Sequence, residues 1–136
     1  MDDWFAKLES KILTIIKTRM QKKSKYRDVD FTSEGGLTPT KFPTVSIEEL
    51  QPSETGQDLT NQTVNAVIET IQVITYTDTT KADCKKLMSE VILQFKRIGF
   101  NATMMPIYQT SFGNVHQGIA RFRRVIGAAD ADLGER

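Results

Sequence analysis

The chain has 136 residues, enough for one domain of ordinary size that buries a core without disulfides or a structural metal. Hydrophobic residues make up 39% and charged residues 26% of the chain, close to the averages of soluble globular proteins, which argues against a wholly disordered or fibrous class. The 18 basic and 17 acidic residues leave a formal charge of only +1, which argues against a protein built mainly to grip nucleic acid.

Cysteine and histidine are scarce. With Cys84 as the only Cys and His116 as the only His, neither an intramolecular disulfide nor a common Cys/His zinc site can form. No apolar run approaches the roughly 20 residues that span a bilayer, and the N-terminus lacks the basic start and apolar core of a signal peptide. We therefore expect a soluble intracellular protein with no membrane partner, no metal and no cofactor.

The first predicted element is an amphipathic helix from Asp3 to about Met20. Asp2 or Asp3 can cap its start, and a basic stretch follows at its end, where the helix dipole favours cations. Its apolar residues recur every three or four positions, which is the spacing of one helix face. They are Phe5, Leu8, Ile12, Ile15, Ile16 and Met20.

A long loop is predicted over residues 24–41, because "SKYRDVDFTSEGGLTPTK" contains a Gly-Gly pair, a Pro and many hydroxyl side chains without a period that buries one face. Loops this long are uncommon in compact domains unless they are functional or disordered. A short strand follows in "FPTVSIEEL", with Pro43 at its start as in an edge strand. A second polar loop then covers residues 51–62.

The strongest strand pattern is "TVNAVIETIQVITYT", in which Val67, Ile71 and Val73 share one face while the other face is also partly apolar, as in a central strand. A second helix follows in "TKADCKKLMSEVILQFKRIGF". Thr80 with Asp83 makes a start similar to a capping box, and Gly99 ends the helix. Its predicted apolar stripe contains Ala82, Leu87, Val91, Phe95 and Ile98.

Two further strands, "FNATMMPIYQT" and "GIARFRRVIG", are joined by the turn-rich "SFGNVHQG". The order α-β-β-α-β-β over residues 1–126 predicts one α+β domain, followed by a polar C-terminal tail over residues 127–136. Adjacent strands are connected closely enough to pair antiparallel. We therefore expect a mostly antiparallel four-stranded sheet with two helices on one face.

Patterns that indicate catalysis are sparse. His116 lies in a predicted turn with no nucleophile beside it, and Cys84 lies in the first turn of the second helix without a placed partner. A helix N-terminus can lower the pKa of a thiol, but a lone Cys is more often a packing residue. Neither a P-loop nor a GxGxxG motif is present. We therefore expect no enzymatic activity.

Carboxylates gather in the middle of the chain, and a solvated surface explains most of them. The group consists of Glu48, Glu49, Glu54, Asp58 and Glu69. Because strand neighbours point to opposite faces, Glu48 and Glu49 are expected on different sides of the sheet. Glu48, Glu54 and Asp58 are candidates for an acidic surface that meets a partner.

A basic run lies between Lys17 and Arg27, with six cations and no acid. Its candidate interface residues are Lys22, Lys23, Lys25 and Arg27. The run is a solvated helix end, a surface for phosphate groups, or a surface for the acidic part of a neighbouring copy. The residues alone leave these alternatives open.

Three arginines lie in the last strand, which strand alternation divides between two faces. Arg121 and Arg123 share a face with Ile119 and Val125, whereas Arg124 points to the other side. All three are candidate interface residues. A face with both apolar side chains and two arginines is not a clean core face, so we expect another subunit to cover it.

The chain resembles the tail terminator, or tail completion, proteins of long-tailed bacteriophages over about residues 3–126. The resemblance rests on the order of the helix "WFAKLESKILTIIKTRM", the strand "FPTVSIEEL", the loop "QPSETGQDLTNQT", the strand "IETIQVITYT", the helix "TKADCKKLMSEVILQFKRIGF" and the strand "GIARFRRV". Head-to-tail connector proteins would look much the same.

The resemblance implies a virion structural protein that forms a ring, usually hexameric, at the head-proximal end of the tail. Such a ring caps the tail tube, ends its polymerisation and joins the head, so the implied partners are other copies of the chain, the tail tube protein and the head-tail connector proteins. Assembly in the host cytoplasm and passage of DNA through the lumen without specific binding are implied as well. The alternatives are a small nucleic-acid-binding domain, a head-tail connector, or an accessory subunit of an enzyme.

Overall fold

The computed structural model describes residues 4–33, 41–55, 66–111, 114–127 and 133. Two α-helices, α1 (Leu8–Gln21) and α2 (Lys81–Arg97), pack on a β-sheet. Single 3-10 turns, Trp4–Lys7 and Ser24–Tyr26, lie on either side of α1. The strands are β1 (Asp30–Thr32), β2 (Thr44–Glu49), β3 (Ser53–Thr55), β4 (Ala66–Thr77), β5 (Asn101–Ser111) and β6 (Val115–Gly127).

The sheet is mixed. Five strands lie in the order β1-β2-β4-β6-β5, and the short β3 pairs with β4 beyond the end of β2. β1 and β2 are parallel, whereas every other described pair is antiparallel. The α+β class with two helices is therefore confirmed. The four-stranded antiparallel sheet is corrected to a mixed sheet, because two short strands lie in segments that were predicted as loops.

β1 shows why the loop prediction for residues 24–41 was incomplete. The segment contains a 3-10 turn, Ser24–Tyr26, and then β1, in which Phe31 is buried opposite Val45. The Asp30 N–H donates to the Pro43 carbonyl at 3.0 Å, so the edge of β2 supplies this strand with partners. Three residues are too few for alternation to be recognised. Residues 34–40, and 56–65 of the second predicted loop, lie outside the described residues.

Helix α1 begins at Leu8, after the first 3-10 turn, and not at Asp3. The predicted caps, Asp2 and Asp3, lie outside the described residues. The predicted apolar face is confirmed, because one row of its side chains has no exposed surface. That row is Leu8, Ile12, Ile16 and Met20.

Both ends of α2 follow the predicted signals. The Thr80 hydroxyl accepts the Asp83 N–H at 3.0 Å, which satisfies one free donor of the first turn. At the other end Gly99 has φ 88°, and the Phe100 N–H donates to the Phe95 carbonyl at 3.0 Å, as in a Schellman motif. The Phe95 and Phe100 rings also pack edge to face, with centroids 5.4 Å apart.

The buried stripe of α2 differs from the prediction at its start. Ala82 is exposed and Cys84 is buried in its place. The reason is the helical period, because positions 84, 87, 91, 95 and 98 follow steps of three and four, whereas position 82 lies five residues before Leu87.

Strands β4 and β6 divide their side chains strictly between two faces. The inner face carries the odd residues of β4 and the even residues of β6, and both helices bury their apolar rows against it. Phe122 of this face stacks on Phe95 of α2 with ring centroids 4.6 Å apart. We call the opposite side of the sheet the outer face. Leu133, from the C-terminal segment, also packs into the core.

Candidate functional site

The outer face carries Arg121 and Arg123, and both are exposed. Arg121 lies opposite Gln72 of β4, and its Nε donates to the Gln72 Oε1 at 2.9 Å. Arg123 lies between Thr70 of β4 and Asn101 of β5. The predicted division of the arginines between two faces is therefore confirmed at these two positions.

Apolar side chains form a row beside these arginines. Ile119 lies in register between Ile74 of β4 and Ile107 of β5. Ile107 is 58% exposed, Val125 51% and Met105, in the same edge strand as Ile107, 69%. These are large hydrophobic side chains in solvent on a face against which neither helix packs. Exposed apolar side chains with charged neighbours are typical of protein–protein interfaces.

Glu48 also lies on the outer face. It is paired with Gln72, whose other neighbour is Arg121, so the acid and the arginine lie two strands apart, a separation of about 10 Å. Glu49 points to the inner face, as predicted from alternation, because it is paired with the fully buried Ile71. The outer face therefore holds a polar row next to its apolar row.

Two acidic candidates are not located by the structure. Glu54 lies in β3, opposite Val67, and its side chain is not described. Asp58 lies outside the described residues. Their assignment to an acidic partner surface stays a prediction.

Arg124 leaves the set of candidate surface residues. It points to the inner face with 6% of its surface exposed, and its Nη1 donates to the Ile98 carbonyl at 2.8 Å. Ile98 is the C-cap of α2, so the guanidinium lies where the helix dipole favours a cation. Arg124 therefore stabilises the packing of α2 on the sheet and does not contact a partner.

The basic candidates Lys22, Lys23, Lys25 and Arg27 are all exposed. They lie between α1 and β1, on the side of the sheet that carries the helices. The Lys23 Nζ forms an ion pair with the Glu90 carboxylate of α2 at 2.8 Å. The structure therefore does not bring these cations together with Arg121 and Arg123.

A groove that the sequence did not predict lies next to this basic run. It runs between the Ser24–Tyr26 turn and the first half of α2, and its main cavity measures about 260 Å³. Tyr26, Val29, Pro43 and Leu87 line it with apolar surface, and Lys25 and Lys86 lie at its rim. A shallower depression continues along α2 past Lys85 and Leu93. The helical period could have predicted that Lys85 and Lys86 are exposed, but not that they meet Lys25.

The inner face holds one chemically unusual group, the Glu69 carboxyl. Glu69 has no exposed surface, and neither of its carboxylate oxygens has a hydrogen-bond partner among the described residues. Burial, together with the nearby carboxylates of Glu49 and Glu9, raises the pKa of Glu69 to about 9. The expectation of a solvated carboxylate is therefore wrong for Glu69, which is an uncharged acid at neutral pH.

Cys84 and His116 do not form a catalytic pair. The Cys84 Sγ lies 3.3 Å from the Thr75 hydroxyl and 3.6 Å from the His116 backbone carbonyl, and burial raises the pKa of the thiol. The His116 ring nitrogen Nδ1 instead lies 3.0 Å from the Thr110 hydroxyl. His116 belongs to β6 and not to the predicted turn. A buried thiol with a raised pKa is a poor nucleophile.

The described residues contain no group of three or more His, Cys, Asp or Glu side chains arranged to hold a metal ion. Within the same residues, no helix combines the length and apolar character needed to cross a membrane. No protein-family model matches the chain, and no curated protein matches it. The candidate site is therefore argued from its own geometry, as a set of protein-binding surfaces.

Proposed function

We propose that the chain is a non-enzymatic assembly subunit of a bacteriophage tail. In this role copies of the chain form a ring, of six subunits by resemblance, at the head-proximal end of the tail. The ring caps the tail tube, ends its polymerisation and presents a surface to the head connector. DNA passes through its lumen without specific binding.

The outer face is the observation that carries this proposal. One side of the sheet is packed by helices, whereas the other exposes Ile107 and Val125 next to Arg121 and Arg123. Exposed apolar side chains become favourable when a partner removes them from water, and arginine is enriched at interfaces. A face of this composition suits a subunit that functions in an assembly.

The distribution of charge also supports an assembly. The formal charge is +1, yet exposed lysines concentrate beside α2 while Glu48 lies on the outer face. A subunit with unlike surfaces on different sides can form heterologous contacts, which close into a ring when the rotation between copies allows it. Charge complementarity between such surfaces also sets the register of the subunits.

Electron microscopy of tails assembled without this protein tests the proposal. We expect tail tubes of variable length that fail to join heads, and addition of the purified protein should restore a uniform length. The control is the same preparation complemented with the Arg121→Ala/Arg123→Ala variant, which should restore it poorly. Tails of normal, uniform length in the absence of the protein would refute the proposed role.

A further inference from the structure

We propose that the groove beside α2 binds residues 54–59 of a second copy of the chain, with Leu59 as the apolar anchor and Glu54 and Asp58 as its acidic flanks. This inference deepens the proposed function, because it rests on the self-association that a ring requires. The groove lies on the opposite side of the sheet from the outer face, so the contact it assigns is an additional one.

The size of the groove decides what kind of ligand fits. Its cavity of about 260 Å³ lies below the range of roughly 300 to 1,000 Å³ that is typical of pockets for cofactors and drug-sized ligands. Apolar surface from Tyr26, Val29 and Leu87 lines it. One large side chain that inserts into such a pocket is the usual anchor of a protein interface.

The charge of the groove favours an acidic segment. Lys25, Lys85 and Lys86 line the main cavity or the depression that continues it. Two of the acids beside them are already engaged, because Glu90 accepts from Lys23 at 2.8 Å and Asp83 accepts from the Thr79 hydroxyl at 2.6 Å. Basic side chains around an apolar pocket complement an apolar residue with acidic neighbours.

The chain contains such a segment, "ETGQDL" over residues 54–59. It has two acids and no base, and Leu59 is its only large apolar residue. Glu54 belongs to β3, and Leu59 lies four residues after Thr55 in the stretch outside the described residues. The segment therefore carries both features that the groove requires.

Chain length prevents this segment from reaching the groove of its own copy. Thr55 pairs with Ala66 at the start of β4, whereas Thr77, which lines the groove, is the last residue of β4. The strand separates Ala66 from Thr77 by about 36 Å. Leu59, four residues from Thr55, reaches at most about 14 Å. The contact must therefore join two copies, and because groove and segment lie at opposite ends of the strand, it is heterologous.

Two variants test the contact from both sides. Lys25→Gln/Lys86→Gln impairs the groove, and Asp58→Asn/Leu59→Ser impairs the segment. We expect each variant to weaken self-association, measured by sedimentation velocity and native mass spectrometry, by at least about tenfold. The controls are Lys96→Gln, an exposed lysine of α2 outside the groove, and Asn61→Ser, in the same loop but outside the segment. Both controls should associate like the wild type.

A mixture of the two variants distinguishes this contact from others. Under conditions where each variant alone is monomeric, a 1:1 mixture should form heterodimers and no larger species, because only one intact groove and one intact segment are available to each pair. Native mass spectrometry with one variant isotopically labelled identifies the heterodimer. A mixture that remains monomeric would refute the proposal.

Three further outcomes would overturn it: a wild-type chain that is monomeric at every concentration, variants that keep the wild-type mass, or a groove variant that keeps the mass but loses affinity for a single-stranded DNA 20-mer. The last result would assign the groove to nucleic acid, with a salt-dependent affinity. Failure here is separable from failure of the tail role. Normal tails without the protein refute only the tail role, and unchanged mass of both variants refutes only this contact.

Discussion

The two faces of β6 differ although they alternate along one strand. Phe122 has no exposed surface and stacks on Phe95, whereas Val125, three residues later, is 51% exposed. Among the arginines, Arg124 is buried against the end of α2 while Arg121 and Arg123 remain in solvent. The difference shows that the same residue types contribute to stability or to recognition according to the side on which the helices pack.

Removal of an inner aromatic ring should have the largest effect. Phe122→Ala deletes the ring that stacks on Phe95, and we expect the free energy of unfolding to fall by about 3 to 5 kcal/mol, because the surrounding core cannot fill the cavity. Val125→Ala on the outer face is the matched control and should change it by less than about 0.5 kcal/mol. Urea denaturation measures both, and equal losses would contradict the division into faces.

The pH dependence of stability should be governed in large part by Glu69. Its pKa is raised to about 9 in the folded state, so between its ordinary value of 4.5 and about 9 the folded chain holds a proton that the unfolded chain releases. Stability is then fully present below pH 4.5 and falls as the pH rises towards 9, by roughly 2 to 4 kcal/mol.

Glu69→Gln removes the titrating group and should flatten this part of the profile. The variant should become more stable than the wild type at alkaline pH, because no carboxylate has to ionise in the core. Urea denaturation at pH 5, 7 and 9 compares the two chains. Parallel slopes for wild type and variant would mean that another group causes the pH dependence.

A close approach between β5 and β6 predicts a smaller loss. A Cβ at Gly118 would lie 2.8 Å from the Tyr108 ring and 2.9 Å from the Thr75 hydroxyl, so Gly118→Ala should reduce stability by about 1 to 3 kcal/mol. Adding Tyr108→Leu should recover part of that loss, because it removes the ring that the new methyl group meets. Additive losses in thermal denaturation would show that the contact with Tyr108 is not the cause.

Loss of the outer arginines should have the smallest effect on folding. Arg121→Ala/Arg123→Ala should change the free energy of unfolding of the monomer by less than about 0.5 kcal/mol while it weakens assembly. Arg124→Ala is the contrasting control and should reduce stability by about 1 to 3 kcal/mol, since the Ile98 carbonyl loses its donor. An unchanged oligomer together with a destabilised monomer would reverse the assignment of the two faces.

Local signals predicted the elements with strong periods. The apolar row of α1, the Thr80 cap and Gly99 end of α2, and the alternation of β4 and β6 all depend on neighbours within a few residues of each other. The start of α1, the short strand β1 and the position of His116 in β6 were missed, because each depends on hydrogen bonds to a distant segment. β1 exists only because β2 offers an open edge.

The sequence alone determined which arginines share a side, since strand alternation is a property of the backbone. Only the tertiary structure decided which side the helices cover, and with it the burial of Arg124 and Glu69, the exposure of Arg121 and Arg123, and the meeting of Lys25 with Lys86 at one groove. Burial and electrostatic environment are set by contacts between residues far apart in the chain, which no local pattern encodes.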